Sequence, residues 1–216
     1  MKINEYIEHT NLKPTATKKD IEKLCLEAKE NGFACVCVNP CNVALAKKLL
    51  DGSTVKVCTV IGFPLGQNTT QSKVAEAKDA LKNGSDEFDM VINVGALKDK
   101  NYEYVRSEIA AVVNAVGGKT VKVIIETGLL SDDEKAVATG LVCEAKAHFV
   151  KTCTGFSDGV ATAYDVEILK SNIKGDVKIK ASAGIKTSEV ALSLIKAGAD
   201  RLGTSSGVQI ISGLKN

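Results

Sequence analysis

Two lysines near the ends of apolar runs are the residues of this chain best placed to do covalent chemistry. Lys151 lies in Phe149-Val150-Lys151-Thr152-Cys153-Thr154-Gly155-Phe156, and Lys180 in Val177-Lys178-Ile179-Lys180-Ala181-Ser182-Ala183-Gly184-Ile185. A buried ammonium is costly unless it is paired or neutral. Desolvation favours the neutral amine, which is a nucleophile towards carbonyls. Asp89, between Phe88 and Met90 in another apolar run, offers a carboxylate that either carries protons or caps a nearby loop. Lys56 and Lys122 also have apolar neighbours and read as outer or rim lysines whose ammonium groups snorkel to solvent. Lys151 and Lys180 are set apart by the residues directly after them, Thr152-Cys153-Thr154-Gly155 and Ser182-Ala183-Gly184. Small residues and glycine let backbone N–H groups approach an anion closely. Gly203-Thr204-Ser205-Ser206-Gly207 has the same character. Any one of these loops is equally a hydroxyl helix cap; three together suggest amine chemistry beside an anion site.

Positioning these groups requires a scaffold, and the sequence alternates strand-like and helix-like runs. A short strand at His9 follows a short N-terminal helical extension. Thr17-Lys18-Lys19-Asp20 reads as a capping box opening a helix through Glu30, with Ile21, Leu24, Cys25 and Ala28 at helical spacing and Asn31-Gly32 as its stop. Strands are expected at 33–38, 54–61, 87–93, 121–126, around Lys151, around Lys180 and at 199–203. Helices are expected at 42–50, 70–82, 102–116, 131–147, 164–171 and 187–196, the fourth of these opened by the capping box Ser131-Asp132-Asp133-Glu134. Alternation of this kind implies parallel strands with right-handed crossovers. Eight units in 216 residues favour a (β/α)8 TIM barrel, one domain over 1–216, over an open doubly wound sheet. No Gly-x-Gly-x-x-Gly follows the first long strand, so a dinucleotide fold has little support. In a barrel, chemistry sits at the C-terminal ends of the strands, where Asp89, Lys151 and Lys180 fall.

Composition excludes several other classes. The net charge of +2 and 4% aromatic residues give neither a nucleic-acid footprint nor a base-stacking platform. No apolar run is long enough to span a membrane, and the first residues lack the apolar core of a signal peptide, so a cytoplasmic location is expected. The seven cysteines are odd in number and sit mostly in apolar runs, as reduced core residues would. A metal site from Cys35, Cys37 and Cys41 is the alternative. It has no Cys-x-x-Cys pair, and the only histidines are His9 and His148, so no metal is expected.

The chain resembles the deoxyribose-phosphate aldolases. The Lys151 run is similar to that family's Schiff-base strand, Phe88-Asp89-Met90-Val91-Ile92-Asn93 to its acidic strand, and the Lys180 run to its second-lysine strand. His9-Thr10, Leu12-Lys13-Pro14, Val36-Cys37-Val38-Asn39-Pro40, Ile61-Gly62-Phe63-Pro64-Leu65-Gly66, Ile125-Glu126-Thr127 and Arg201-Leu202-Gly203-Thr204-Ser205 extend the resemblance, in order, over nearly the whole chain. Cys153 stands where the family usually has Ser, Ala183 where it often has Gly, and the sequence ends at Lys215-Asn216 without the C-terminal tyrosine of some members. The resemblance implies a class I aldolase that cleaves 2-deoxy-D-ribose 5-phosphate reversibly to D-glyceraldehyde 3-phosphate and acetaldehyde. Lys151 would be the Schiff-base nucleophile, Lys180 a cation favouring its neutral form, and Asp89 a proton shuttle. Phosphate would rest on Gly155, Gly184 and Gly203 with Ser205 and Ser206. No cofactor is implied; the partners are small phosphosugars and aldehydes, and a homo-oligomer, dimer or tetramer, is compatible. Another Schiff-base aldolase or isomerase of phosphosugars, and a non-catalytic sugar-phosphate-binding barrel, remain open as alternatives.

Overall fold

A computed structural model describes residues 2–214 of the chain; Met1 and Lys215-Asn216, and with them the expectation about a C-terminal tyrosine, lie outside the described residues. After a 3-10 turn at Ile3–Tyr6 the chain runs β1 (Ile7–Asn11), α1 (Lys18–Asn31), β2 (Cys35–Val38), α2 (Val43–Leu49), β3 (Lys56–Ile61), α3 (Thr70–Lys82) and β4 (Glu87–Val91). It continues through α4 (Val94–Lys98), α5 (Tyr102–Ala115), β5 (Thr120–Ile124), α6 (Asp132–Glu144), β6 (Phe149–Lys151) and α7 (Ala163–Asn172). β7 (Lys178–Ser182), α8 (Ser188–Ala197), β8 (Arg201–Thr204) and α9 (Gly207–Gly213) complete it. The strands pair in sequence order, all parallel, and β8 pairs with β1, so the sheet closes into the expected TIM barrel. None of the described helices is long and apolar enough to cross a membrane.

Local chemistry sets the helix limits. Thr17 and Ser131 form reciprocal capping boxes with Asp20 and Glu134, and Gly32 ends α1 in the left-handed conformation that glycine adopts at least cost. Several boundaries differ from the sequence pattern by a few residues, and two have an evident local cause. The strand expected to run to Asn93 stops at Val91, because Asn93 caps the five-residue α4 by accepting from the Ala96 N–H. The second helix begins at Val43, since Pro40–Asn42 forms a separate 3-10 turn.

Period-two alternation sorts the strands into two environments. Outward residues such as Val36, Val57, Phe88, Val121, Val150 and Ile179 join Ile21, Leu24, Ile109, Val112 and Leu194 of the helices in one buried cluster. Each such apolar side chain contributes about 1.5–3 kcal/mol on burial. Inside, branched aliphatic residues usually fill a barrel of this type. Here β2 and β3 supply Cys35, Cys37, Cys58 and Val60. Much of the remaining interior is charged, with Glu8, Glu87, Asp89, Lys122 and Lys180 all buried.

Lys122 is therefore not an outer or rim lysine. It is wholly buried inside the barrel, whereas Lys56 is exposed at the rim as expected. The register explains the difference: Lys122 pairs across from Asp89, with inward carboxylates on its neighbours to neutralise it, while Lys56 opens its strand at the end that faces solvent.

Candidate active site

Three strands bring the predicted amine and carboxylate groups together. Lys151 ends β6, Lys180 lies opposite it in the β7 register, and Asp89 projects inward from β4. Like charges directly opposite on neighbouring strands repel. Asp89 relieves this: its Oδ2 accepts from Lys151 Nζ at 2.7 Å and from Lys180 Nζ at 2.6 Å. Its Oδ1 accepts from Lys122 Nζ at 3.0 Å and from the Cys58 thiol at 3.2 Å. Lys122 also reaches Glu87 at 2.7 Å and Glu8 at 3.3 Å, and Lys180 is ion-paired with Glu8. Six charged side chains thus form one continuous cluster of three carboxylates and three amines.

Burial and pairing compete within this cluster, and pairing wins. Burial alone pushes the Asp89 carboxyl up, but Lys122, Lys151 and Lys180 outweigh it and hold it well below the usual carboxylate range. Burial pushes Glu87 up as well, yet Lys122 and Lys56 bring it down to about 2. Burial lowers Lys122 and Lys180, while Asp89 and Glu8 more than compensate and hold both well above the ordinary lysine value. Lys180, with two carboxylate partners, keeps its charge. Lys151 has one such partner and an open side towards a cavity, so it is the amine free to react.

That cavity, about 680 Å³, opens at the C-terminal ends of the strands. Lys151, Ser182 and Gly203 line it with the loops carrying Thr154-Gly155, Ala183-Gly184 and Thr204-Ser205, while Lys180 and Asp89 lie buried beside Lys151. Gly155, Gly184, Gly203 and Ser205 are therefore gathered at one cavity. Ser206 is not among its lining residues; its N–H donates to Thr204 Oγ1 at 2.9 Å as the chain turns into α9. Gly155 and Gly184 have φ of +82° and +77°, where glycine is favoured. Gly203 answers to a different constraint: a Cβ there would meet Ser182 Cβ at 2.9 Å and Lys180 Cε at 3.0 Å. Its bareness leaves room for the Lys180 side chain. Cys153 is fully buried, with its Sγ 3.3 Å from Thr127 Oγ1, and does not line the cavity.

Several residues of the site carry no site role in the sequence pattern. Glu8 and Lys122 complete the ion cluster; the signal was parity, since both share a face with inward groups, but only the register reveals their partners. Glu126 holds the loop after Lys151, accepting from the Thr154 N–H at 3.2 Å and from Thr154 Oγ1 at 2.5 Å. It does so from a φ of +56°, uncommon for a residue with a side chain. Lys186, directly after the Gly184 loop, adds a cation to the cavity wall.

Comparison with known proteins places the chain among aldolases. Residues 6–213 match the model of the DeoC/LacD family aldolase. The chain is 58% identical over 208 residues to a deoxyribose-phosphate aldolase of Dictyoglomus turgidum, covering 96% of this chain and 95% of that one. A deoxyribose-phosphate aldolase of Brevibacillus brevis is 54% identical over 215 residues, covering 100% of this chain and 97% of the relative. Among solved structures, the tetrameric deoxyribose phosphate aldolase of Aeropyrum pernix superposes with a TM-score of 0.90 at 34% identity, covering 99% of this chain and 91% of that one.

Proposed function

The chain belongs to the DeoC/LacD family of aldolases, and we propose that its barrel mouth cleaves 2-deoxy-D-ribose 5-phosphate reversibly to D-glyceraldehyde 3-phosphate and acetaldehyde. The observation that carries this reading is the amine–carboxylate–amine bridge at the cavity, with Lys151 and Lys180 sharing one oxygen of Asp89.

In the open-chain sugar, Lys151 Nζ attacks the aldehyde carbon, and Asp89 Oδ2, 2.7 Å away, takes the proton that the nitrogen loses. Loss of water from the carbinolamine gives a protonated Schiff base. The bond between carbons 2 and 3 then breaks, its electron pair flows into the iminium, and the carbon-3 hydroxyl gives up its proton. Asp89, through a water, is the acceptor for that proton. The remaining enamine is protonated at carbon 2 and hydrolysed to acetaldehyde and free Lys151. The iminium is the electron sink, so the reaction needs neither metal nor organic cofactor. Lys180 remains cationic throughout and keeps Asp89 ionised between steps. The phosphate rests on the loops of Gly155, Gly184 and Gly203, with Ser205 and the Lys186 ammonium at the same wall.

The test is borohydride reduction in the presence of acetaldehyde, followed by peptide mapping. An ethyl group on Lys151 is expected; stable labelling of a different lysine, or none while deoxyribose 5-phosphate is still cleaved, removes the assignment. Association into a homo-oligomer, dimer or tetramer, belongs to the same proposal and has its support in the tetrameric Aeropyrum pernix relative. Light scattering reads it directly.

A further inference from the structure

Across the ring from Lys151, β2 and β3 line the barrel with thiols that the aldol chemistry leaves unused. Cys37 and Cys58 are register partners on adjacent strands, and both are buried. Their Sγ atoms and a carboxylate oxygen of Asp89 all lie within 4.8 Å of one another. We propose that Cys37, Cys58 and Asp89 form a binding site for a thiophilic divalent cation, and that its occupancy inhibits the enzyme.

Geometry and donor type both support such a site. In a tetrahedral zinc–thiolate centre, metal–sulfur bonds of about 2.3 Å set ligand atoms roughly 3.8 Å apart, within about 1 Å of the spacing present here. Small χ1 rotations of two cysteines cover that difference. Two sulfurs and one carboxylate oxygen select zinc or cadmium over the hard magnesium and calcium ions. The spot already attracts positive charge: the Lys122 ammonium stands 3.4 Å from Cys58 Sγ and 3.0 Å from Asp89 Oδ1. An arriving cation would displace it, and Lys122 would keep Glu87 at 2.7 Å and Glu8 at 3.3 Å. Binding forms two metal–sulfur bonds and one metal–oxygen bond and releases the two thiol protons to solvent. The metal then holds Asp89 Oδ1, and the carboxylate can no longer carry protons for Lys151. This inhibitory half rests on the proposed aldolase mechanism; the binding half does not. Because all three ligands are sealed from solvent, binding should be slow in onset.

The experiment titrates the full-length protein with cadmium and follows the ultraviolet thiolate-to-cadmium charge-transfer band. One equivalent should develop the band slowly. Cys37→Ser and Cys58→Ser should each lose it, with Cys37→Ala as a further probe should serine disturb the strand. Cys41→Ser, at the exposed cysteine, should retain it. Activity should fall with the time course of the band, by about 10²-fold, the low end of what a positioned acid–base group contributes, and return with a chelator. A full band in the Cys37 variants, loss of the band in Cys41→Ser, or no band in the wild type overturns the site. A band that forms while activity stays unchanged overturns the inhibition. If the metal-free protein does not cleave deoxyribose 5-phosphate, the mechanism fails, while the band still judges the site.

Discussion

At Asp89 two oxygens serve three ammonium groups and a thiol, so each neighbouring substitution has a distinct signature. Lys151→Arg keeps the positive charge but cannot form an imine. It should abolish both turnover and borohydride-trapped adduct while leaving the unfolding curve near that of the wild type. Lys122→Met should act on the fold: it leaves Asp89, Glu87 and Glu8 buried without the cation between them. Removing one partner of a buried ion pair costs about 3–5 kcal/mol, to be read as a lower urea midpoint at pH 7. The sequence singled out Lys151 and Lys180 because small-residue loops follow each of them, whereas Asp89 stood out only as a carboxylate in an apolar run, with loop capping as its equal alternative. It hid Lys122, whose apolar neighbours look like those of Lys56. Only strand register, which pairs Lys122 with Asp89, separates the buried lysine from the exposed one.

The elements were legible wherever their limits are written in local chemistry. The capping boxes at Thr17 and Ser131 and the glycine stop at Gly32 stand as expected, because each is a property of a few consecutive residues. α4 was not legible, since five residues carry too little periodicity to distinguish a helix turn from the end of a strand. The loop from β7 to α8 carries a local conflict of its own. Ala183 sits at φ +80°, a conformation open to glycine and strained for alanine. Ala183→Gly should therefore stabilise the protein by about 1 kcal/mol, the relieved strain exceeding the added unfolded-state entropy. Urea unfolding of the pair decides the sign; a destabilised variant would show that the loop is held by contacts of the alanine methyl group.

For the whole molecule, the charged interior defines a stability window. Glu87, brought from 4.5 down to about 2, contributes stability above its unfolded value that disappears as pH falls towards 2, a loss of about 3 kcal/mol from this one group. Asp89, held well below the usual carboxylate range, acts in the same direction. Lys122 and Lys180, raised above 10.5, contribute stability below that value that is lost as pH rises through their elevated range. The melting temperature should therefore be flat from about pH 5 to 10 and fall on both sides. Glu87→Gln should lower the plateau and flatten its acid limb. The distribution of these charges has a further consequence. Glu8, Glu87 and Asp89 all belong to β1–β4, and Lys122, Lys151 and Lys180 all to β5–β8. Divided between α4 and α5, the chain would yield two half-shells with opposite charge on their concave walls. Two copies of the same half would repel at the seam, and only unlike halves could close the ring. Co-expressed fragments should recover turnover as a one-to-one complex and never as a homodimer of either piece. The interior charge thus serves as a mating code that lets the barrel be completed by its own other half alone.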